Sequence, residues 1–188
     1  LYISEEETQQ AHLLLSEIDV TSGRIIGLVP GAGSPWRIWP STRFAELADV
    51  LHQKFHATII LVGGEHDRLV CQDIREQMNV QPLDLSGRTS LRELMAVLGQ
   101  MDLVISNVTG PMHIASALSK PKVIGLYGAA DTIQYAPWSH RAMMVTKGKP
   151  DDAYWHQVDY ERDYHRLLEL TVSDVLDVIP LMMKEWIH

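Results

Sequence analysis

The chain has 188 residues, 46% hydrophobic and 21% charged, the composition of one folded domain rather than of a disordered or fibrous chain. Sixteen basic against twenty-four acidic residues leave a formal net charge of -8, which argues against a nucleic-acid partner, because such binding rests on basic neutralisation of phosphates. The single cysteine, Cys71, excludes an intramolecular disulfide and fits a reducing compartment, and no apolar run reaches the roughly 18 residues of a membrane span.

The chain opens at Leu1 with a polar, acidic stretch from Ser4 to Gln10 that leads into Leu13, Leu14 and Leu15. It lacks the basic start and apolar block of a signal peptide, so a cytoplasmic location is expected. We read residues 1–23 as a linker or N-terminal helical segment, and the whole as a piece of a longer protein. Residues 24–188 read as one folded domain. Ile25 to Val29 is a buried strand, and Ser41 starts a helix whose Phe44, Leu47, Ala48, Leu51 and Phe55 share one face. Thr58 to Val62 is a second strand, ended by Gly63 and Gly64. A polar helix over about Asp67 to Met78 and a short strand at Leu83 to Leu85 follow. Ser90 and Glu93 have capping-box spacing ahead of Leu91, Leu94, Met95 and Leu98. Leu103 to Ser106 is the fourth strand, followed by a helix running from Thr109-Gly110-Pro111 to about Ser119. Val123 to Tyr127 and Ala142 to Thr146 complete the strands. Lys147 to Arg166 has no clean period and reads as a loop with at most a short helix. Thr171 opens a last helix, with Pro180 expected to kink it. Strands alternating with amphipathic stretches predict an α/β fold, a doubly wound parallel sheet of Rossmann-like type.

Ligands of such sheets bind beyond the carboxyl ends of the strands. Four loops fall there. Pro30-Gly31-Ala32-Gly33-Ser34, followed by Arg37, has the small residues that let backbone N–H groups approach an anion and a fixed positive charge beside them. It carries neither a Walker A nor a G-x-G-x-x-G pattern, and a surface turn with two packed tryptophans is the alternative. Glu65 or Asp67, just past the second strand, could bind a ribose diol or simply cap the next helix. Ser86-Gly87-Arg88-Thr89-Ser90 could edge a base, although capping alone would account for it. Ser106 to His113 joins a buried strand to a helix start, where a diphosphate would be held, and His113 could donate to a phosphate or sugar oxygen or else bond a nearby carbonyl. Asp151-Asp152 and Trp155-His156 could form a substrate rim or a solvated cluster. The remaining histidines show no ligand spacing, and no metal or cofactor is expected.

These residues together resemble a known family. Pro30-Gly31-Ala32-Gly33, Arg37-x-Trp39-Pro40 with Phe44 and Leu47, Val62-Gly63-Gly64, Ser86-Gly87, and Asn107-x-Thr109-Gly110-Pro111-Met112-His113-Ile114-Ala115-x-Ala117-Leu118 with Pro121 and Tyr127-Gly128 are similar to glycosyltransferase family 9, the lipopolysaccharide heptosyltransferases. The resemblance implies the carboxyl-terminal, donor-binding half of a GT-B glycosyltransferase, inverting and metal-independent. The donor would be ADP-heptose, and a lipopolysaccharide core acceptor would be held by a domain outside this chain. That missing domain would supply the catalytic base, so the chain alone should be inactive. Peripheral association with the cytoplasmic face of the inner membrane would follow. By resemblance, Gly33 and Ser34 line the diphosphate, Arg37 stands where the family usually has a phosphate-binding lysine, Glu65 meets the ribose and Thr89 the adenine. Thr109, Gly110 and His113 surround diphosphate and sugar. Val108 departs from the family pattern, which has an aspartate contacting the sugar at that position. This departure leaves open a noncatalytic nucleotide-binding or regulatory module, and the architecture also admits a nucleotide-sugar epimerase.

Overall fold

The computed structural model describes residues 1–18, 20, 23–128, 131–147 and 160–186. Six strands form one sheet: β1 (Ile25–Val29), β2 (Thr58–Leu61), β3 (Leu83–Asp84), β4 (Leu103–Asn107), β5 (Lys122–Tyr127) and β6 (Ala142–Thr146), in the order β3-β2-β1-β4-β5-β6. Every pairing is parallel, with Leu28 opposite both Leu61 and Ile105 and Ile105 opposite Ile124. This is the Rossmann order, reversing between β1 and β4, the place where such sheets leave a crevice.

The helices are α1 (Glu5–Leu15), α2 (Ser41–Phe55), α3 (Arg68–Gln77), α4 (Leu91–Gln100), α5 (Gly110–Ser116), α6 (Asp131–Gln134), α7 (Tyr160–Glu169) and α8 (Val172–Met182). Successive strand residues point to opposite faces, and both faces are covered. Ile26, Leu28, Ile59, Leu61, Leu103, Ile105, Ile124 and Leu126 meet α2, α3, α7 and α8 in one core. Val29, Ile60, Val62, Val104, Val123 and Tyr127 meet α1, α4 and α5 in the other. The continuous β-branched runs of the sequence are this double burial.

Helix boundaries follow the local chemistry. Ser90 Oγ accepts from the Glu93 N–H at 3.3 Å while the Glu93 carboxylate accepts from the Ser90 N–H at 2.7 Å, the expected reciprocal cap. Ser4 with Glu7 and Thr171 with Asp174 repeat it at α1 and α8. His56, with φ of 53°, closes α2 in the left-handed conformation.

The structure adds to the sequence pattern at the N-terminus and departs from it at three later places. α1 packs along α4 and buries Ala11 and Leu15, with the Arg92 guanidinium bridging to Glu7 at 2.6 Å, so the N-terminal helix shares the second core. α5 ends at Ser116, three residues before the expected Ser119, where the Ala117 and Leu118 N–H groups donate to the Ile114 and Ala115 carbonyls in tighter backbone bonds and Leu118 turns inward while Ala117 stays exposed. The stretch read as a loop to Arg166 ends inside α7, whose Leu167 is buried. The last helix stops at Met182, two residues past Pro180, and a short 3-10 turn at Lys184–Trp186 places Trp186 against Phe55. The acidic and aromatic stretch at 151–156 lies outside the described residues.

Candidate functional site

All six strands run the same way, so the loops after β1, β2, β3 and β4 leave from one edge of the sheet. The loop after β1, residues 30–40, is held there by a buried side chain. Asn107, the last residue of β4, is fully buried. Its Nδ2 donates to the Pro30 carbonyl at 2.7 Å, and its Oδ1 accepts from the Trp39 N–H at 3.2 Å. Trp39 is fully buried, edge-on to Phe44, and its Nε1 donates to the Leu170 carbonyl at 2.9 Å. Trp36, by contrast, is 44% exposed and edge-on to Tyr164 of α7. The loop thus has one packed and one half-open tryptophan, with Arg37 between them.

Six of the nine residues singled out from sequence come together. Gly33, Arg37, Val108, Thr109, Gly110 and His113 line one cavity of about 290 Å³, and Tyr135 completes its lining. The Arg37 guanidinium lies over the Tyr135 ring at 4.4 Å, a cation–π contact that fixes its plane. Tyr135 is anchored in turn, since its carbonyl accepts from the Tyr127 hydroxyl at 2.8 Å. The His113 imidazole takes no hydrogen bond from the described residues, so the carbonyl-bonded alternative is not the one adopted. Thr109 is the N-cap of α5, yet its side chain makes no capping bond. Both groups remain available to a ligand. The helix start itself offers little: Pro111 has no N–H, and the Met112 N–H already donates to the Thr109 carbonyl at 3.2 Å. Arg37 therefore dominates the positive charge of the cavity. Val108, 4% exposed, adds an apolar wall.

Ser34, Glu65 and Thr89 do not line this cavity. Ser34 is adjacent in the loop and caps the turn Pro35–Arg37 without a side-chain bond. Glu65 lies beside the loop after β3. Gly87 there has φ of +63°, and a Cβ on it would fall 2.6 Å from Glu65 Oε2 and 2.5 Å from Arg68 Nε. Glu65 pairs with Arg68 at 3.2 Å, its side chain 67% exposed. Thr89 follows on the same loop, just before the cap of α4. A second hollow, of about 310 Å³, lies beyond it between α3 and the edge strand, lined by Arg68, Arg75, Arg88 and Asp84 among others. Arg88 is paired with Glu17 at 2.5 Å, which offsets part of that charge.

Asp67 plays a part that sequence reasoning divided between capping and ribose binding. Its Oδ2 accepts from the Gly64 N–H at 2.8 Å, and the carboxylate presses on Gly31, where a Cβ would lie 2.0 Å from Oδ1. It packs the loop after β2 onto the loop after β1. Among the described residues no three His, Cys, Asp or Glu side chains gather to hold a metal ion, and no helix is long and apolar enough to cross a membrane.

Residues 1–165 match the family model described as glycosyltransferase family 9 (heptosyltransferase). The chain belongs to glycosyltransferase family 9. It is 30% identical over 193 aligned residues to lipooligosaccharide heptosyltransferase 2 of Haemophilus influenzae, covering 98% of this chain and 53% of that protein. It is 32% identical over 149 residues to the protein of the same name from Haemophilus ducreyi, covering 76% of this chain and 42% of that protein. A crystal structure of a family 9 glycosyl transferase from Veillonella parvula superposes with a TM-score of 0.87 at 26% identity, over 98% of this chain and 53% of that one. The family 9 chain thus spans about half the length of the relatives it matches, and its architecture is that of one Rossmann-like half of a GT-B glycosyltransferase.

Proposed function

We propose that the cavity between Arg37 and His113 holds the diphosphate and sugar of ADP-heptose, and that this chain is the donor-binding half of a heptosyltransferase acting on a lipopolysaccharide core acceptor. The carrying observation is the convergence of Arg37, Thr109 and His113 on one cavity at the carboxyl edge of β1 and β4. As the sugar leaves its diphosphate, negative charge grows on the bridging oxygen. A guanidinium already fixed in plane over Tyr135 stabilises that charge without reorganising. Thr109 and His113 donate to phosphate or sugar oxygens. Glu65 and Thr89 lie further along the same edge, toward β3, where the ribose and adenine would extend. The reaction inverts the anomeric centre and needs no metal. A base outside these residues takes the proton of the acceptor hydroxyl, and the complete enzyme works at the cytoplasmic face of the inner membrane.

Calorimetric titration with ADP, UDP and ADP-heptose in the absence of metal tests this reading. ADP is expected to bind in preference to UDP, and Arg37→Ala should weaken ADP by roughly ten- to a hundredfold, the scale of one lost charged hydrogen bond. Equal affinity of wild type and Arg37→Ala for ADP would overturn the assignment. The buried Val108 favours a second reading, a nucleotide-binding module without transfer activity. If ADP-heptose binds no better than ADP, and Val108→Asp in the full-length protein gives no transfer, the second reading gains.

A further inference from the structure

We infer that Asn107 is a positioning residue that sets the width of the donor cavity, an inference that rests on the cavity being the nucleotide-sugar site. Residues 30 and 39 bracket the loop that carries Gly33 and Arg37. The two hydrogen bonds of the Asn107 amide go to these two ends, one donated at 2.7 Å and one accepted at 3.2 Å. The backbone that follows Asn107 carries Val108, Thr109 and Gly110, the facing wall. One buried amide therefore ties both walls of the cavity to the same strand end. The two bonds need a donor and an acceptor on one planar group, which an amide supplies and a carboxylate does not. Without the tether the loop is expected to keep its tryptophan anchor at Trp39 but lose its fixed start at Pro30. Arg37 would then be presented over a range of positions, and binding would carry the cost of ordering it.

Asn107→Asp offers a reversible test. Protonated, the carboxylic acid can donate to the Pro30 carbonyl and accept from the Trp39 N–H. Ionised, it presents two acceptors to a carbonyl and the tether breaks. Burial raises an aspartic acid above its ordinary ~3.9, so the switch is expected between about pH 5 and pH 8. Arg37, charged throughout this range, and His113 line the neighbouring cavity, and the wild-type protein measured over the same range is the reference for any pH effect that does not arise at residue 107. Val104→Ala, a core truncation in the same strand, controls for lost stability. Asn107→Asp should bind ADP at least tenfold more weakly than wild type at pH 8 and recover most of that factor at pH 5, while Val104→Ala binds as wild type. Amide exchange of residues 31–38 should be faster in Asn107→Asp than in Val104→Ala at pH 8 only.

Wild-type affinity and unchanged exchange in Asn107→Asp at pH 8 would overturn the positioning role and leave the donor-site reading standing. Failure of the wild type to bind ADP would overturn that reading, and the exchange comparison then decides the tether by itself. Should Asn107→Asp not fold at pH 8, Asn107→Ser, uncharged and too short to reach either partner, takes its place against Val104→Ala. Faster exchange of 31–38 in it supports the tether, and equal exchange overturns it.

Discussion

Replacing Gly31 by alanine tests how tightly the loops after β1 and β2 are packed together. The added Cβ would lie 2.0, 2.2 and 2.6 Å from Asp67 Oδ1, Cγ and Oδ2. To reach an ordinary contact of 3.4 Å, the nearest oxygen must retreat by about 1.4 Å. The carboxylate is the end of a short side chain and can rotate, but rotation gives up its bond to the Gly64 N–H at 2.8 Å. The expected cost is that of one hydrogen bond with some residual crowding, about 1–2 kcal/mol. Asp67→Ala removes all three offending atoms, so Gly31→Ala should cost much less in that background. Urea unfolding of the four proteins forms a double-mutant cycle, with an expected coupling of about 1 kcal/mol or more. If Gly31→Ala costs the same with and without Asp67, the contact does not govern the packing of the two loops.

Trp39→Phe keeps an aromatic ring beside Phe44 but loses the Nε1–H bond to the Leu170 carbonyl. That carbonyl still accepts from Arg43 at 2.5 Å, so the loss should stay near 1–2 kcal/mol, read by the urea midpoint; an unchanged midpoint would refute it. The Arg92 guanidinium, with the Ser4 N–H, holds the Glu7 carboxyl down at about 2. A carboxyl depressed on folding contributes stability that is present above its unfolded value, near 4.5, and is lost as the pH falls toward about 2. Carbon NMR should show Glu7 titrating in that low range, with Arg92→Ala returning it to the ordinary carboxylate region. Burial pushes the Cys71 thiol up to about 12, so alkylation at pH 8 should track global unfolding and rise along the urea curve. Rapid labelling of the native protein would show that the core around Cys71 opens locally.

The strands could be read from the sequence because double burial leaves Ile25–Val29, and Leu103, Val104 and Ile105 at the start of β4, free of polar residues. The loops of the site could be read for a related reason: a parallel sheet sends every strand end to one edge, so Arg37 and His113 converge despite lying 76 positions apart. Helix α7 was obscured by its composition. Tyr160, Tyr164, Leu167 and Leu168 have helical spacing, but the polar residues among them outnumber the apolar ones. Tyr135 lies in a stretch with no period, and its place in the cavity, beside Arg37 and tied to the Tyr127 hydroxyl, is purely tertiary. Asn107 stands in the loop motif after the fourth strand, but its tethering role is not legible there, since its partners lie 77 and 68 positions earlier in the chain. Asp67 was visible as a possible cap, while its pressure on Gly31 is purely tertiary.

The bond from Trp39 to the Leu170 carbonyl joins positions 131 residues apart. A ribosome adding roughly 5–20 residues per second needs about 7–26 s to make that interval. The loop after β1 is among the first parts of the domain to be synthesised, yet its buried anchor is among the last to find its partner. Until α7 and α8 emerge, Trp39 and Phe44 have no cover on that side, and the nascent chain carries an apolar patch for chaperones to shield. The fixed form of this loop should therefore arrive late in synthesis, after most of the sheet can already pair. Chains stalled before and after Leu170, with the other four tryptophans replaced by phenylalanine and compared by Trp39 emission, would show that delay directly.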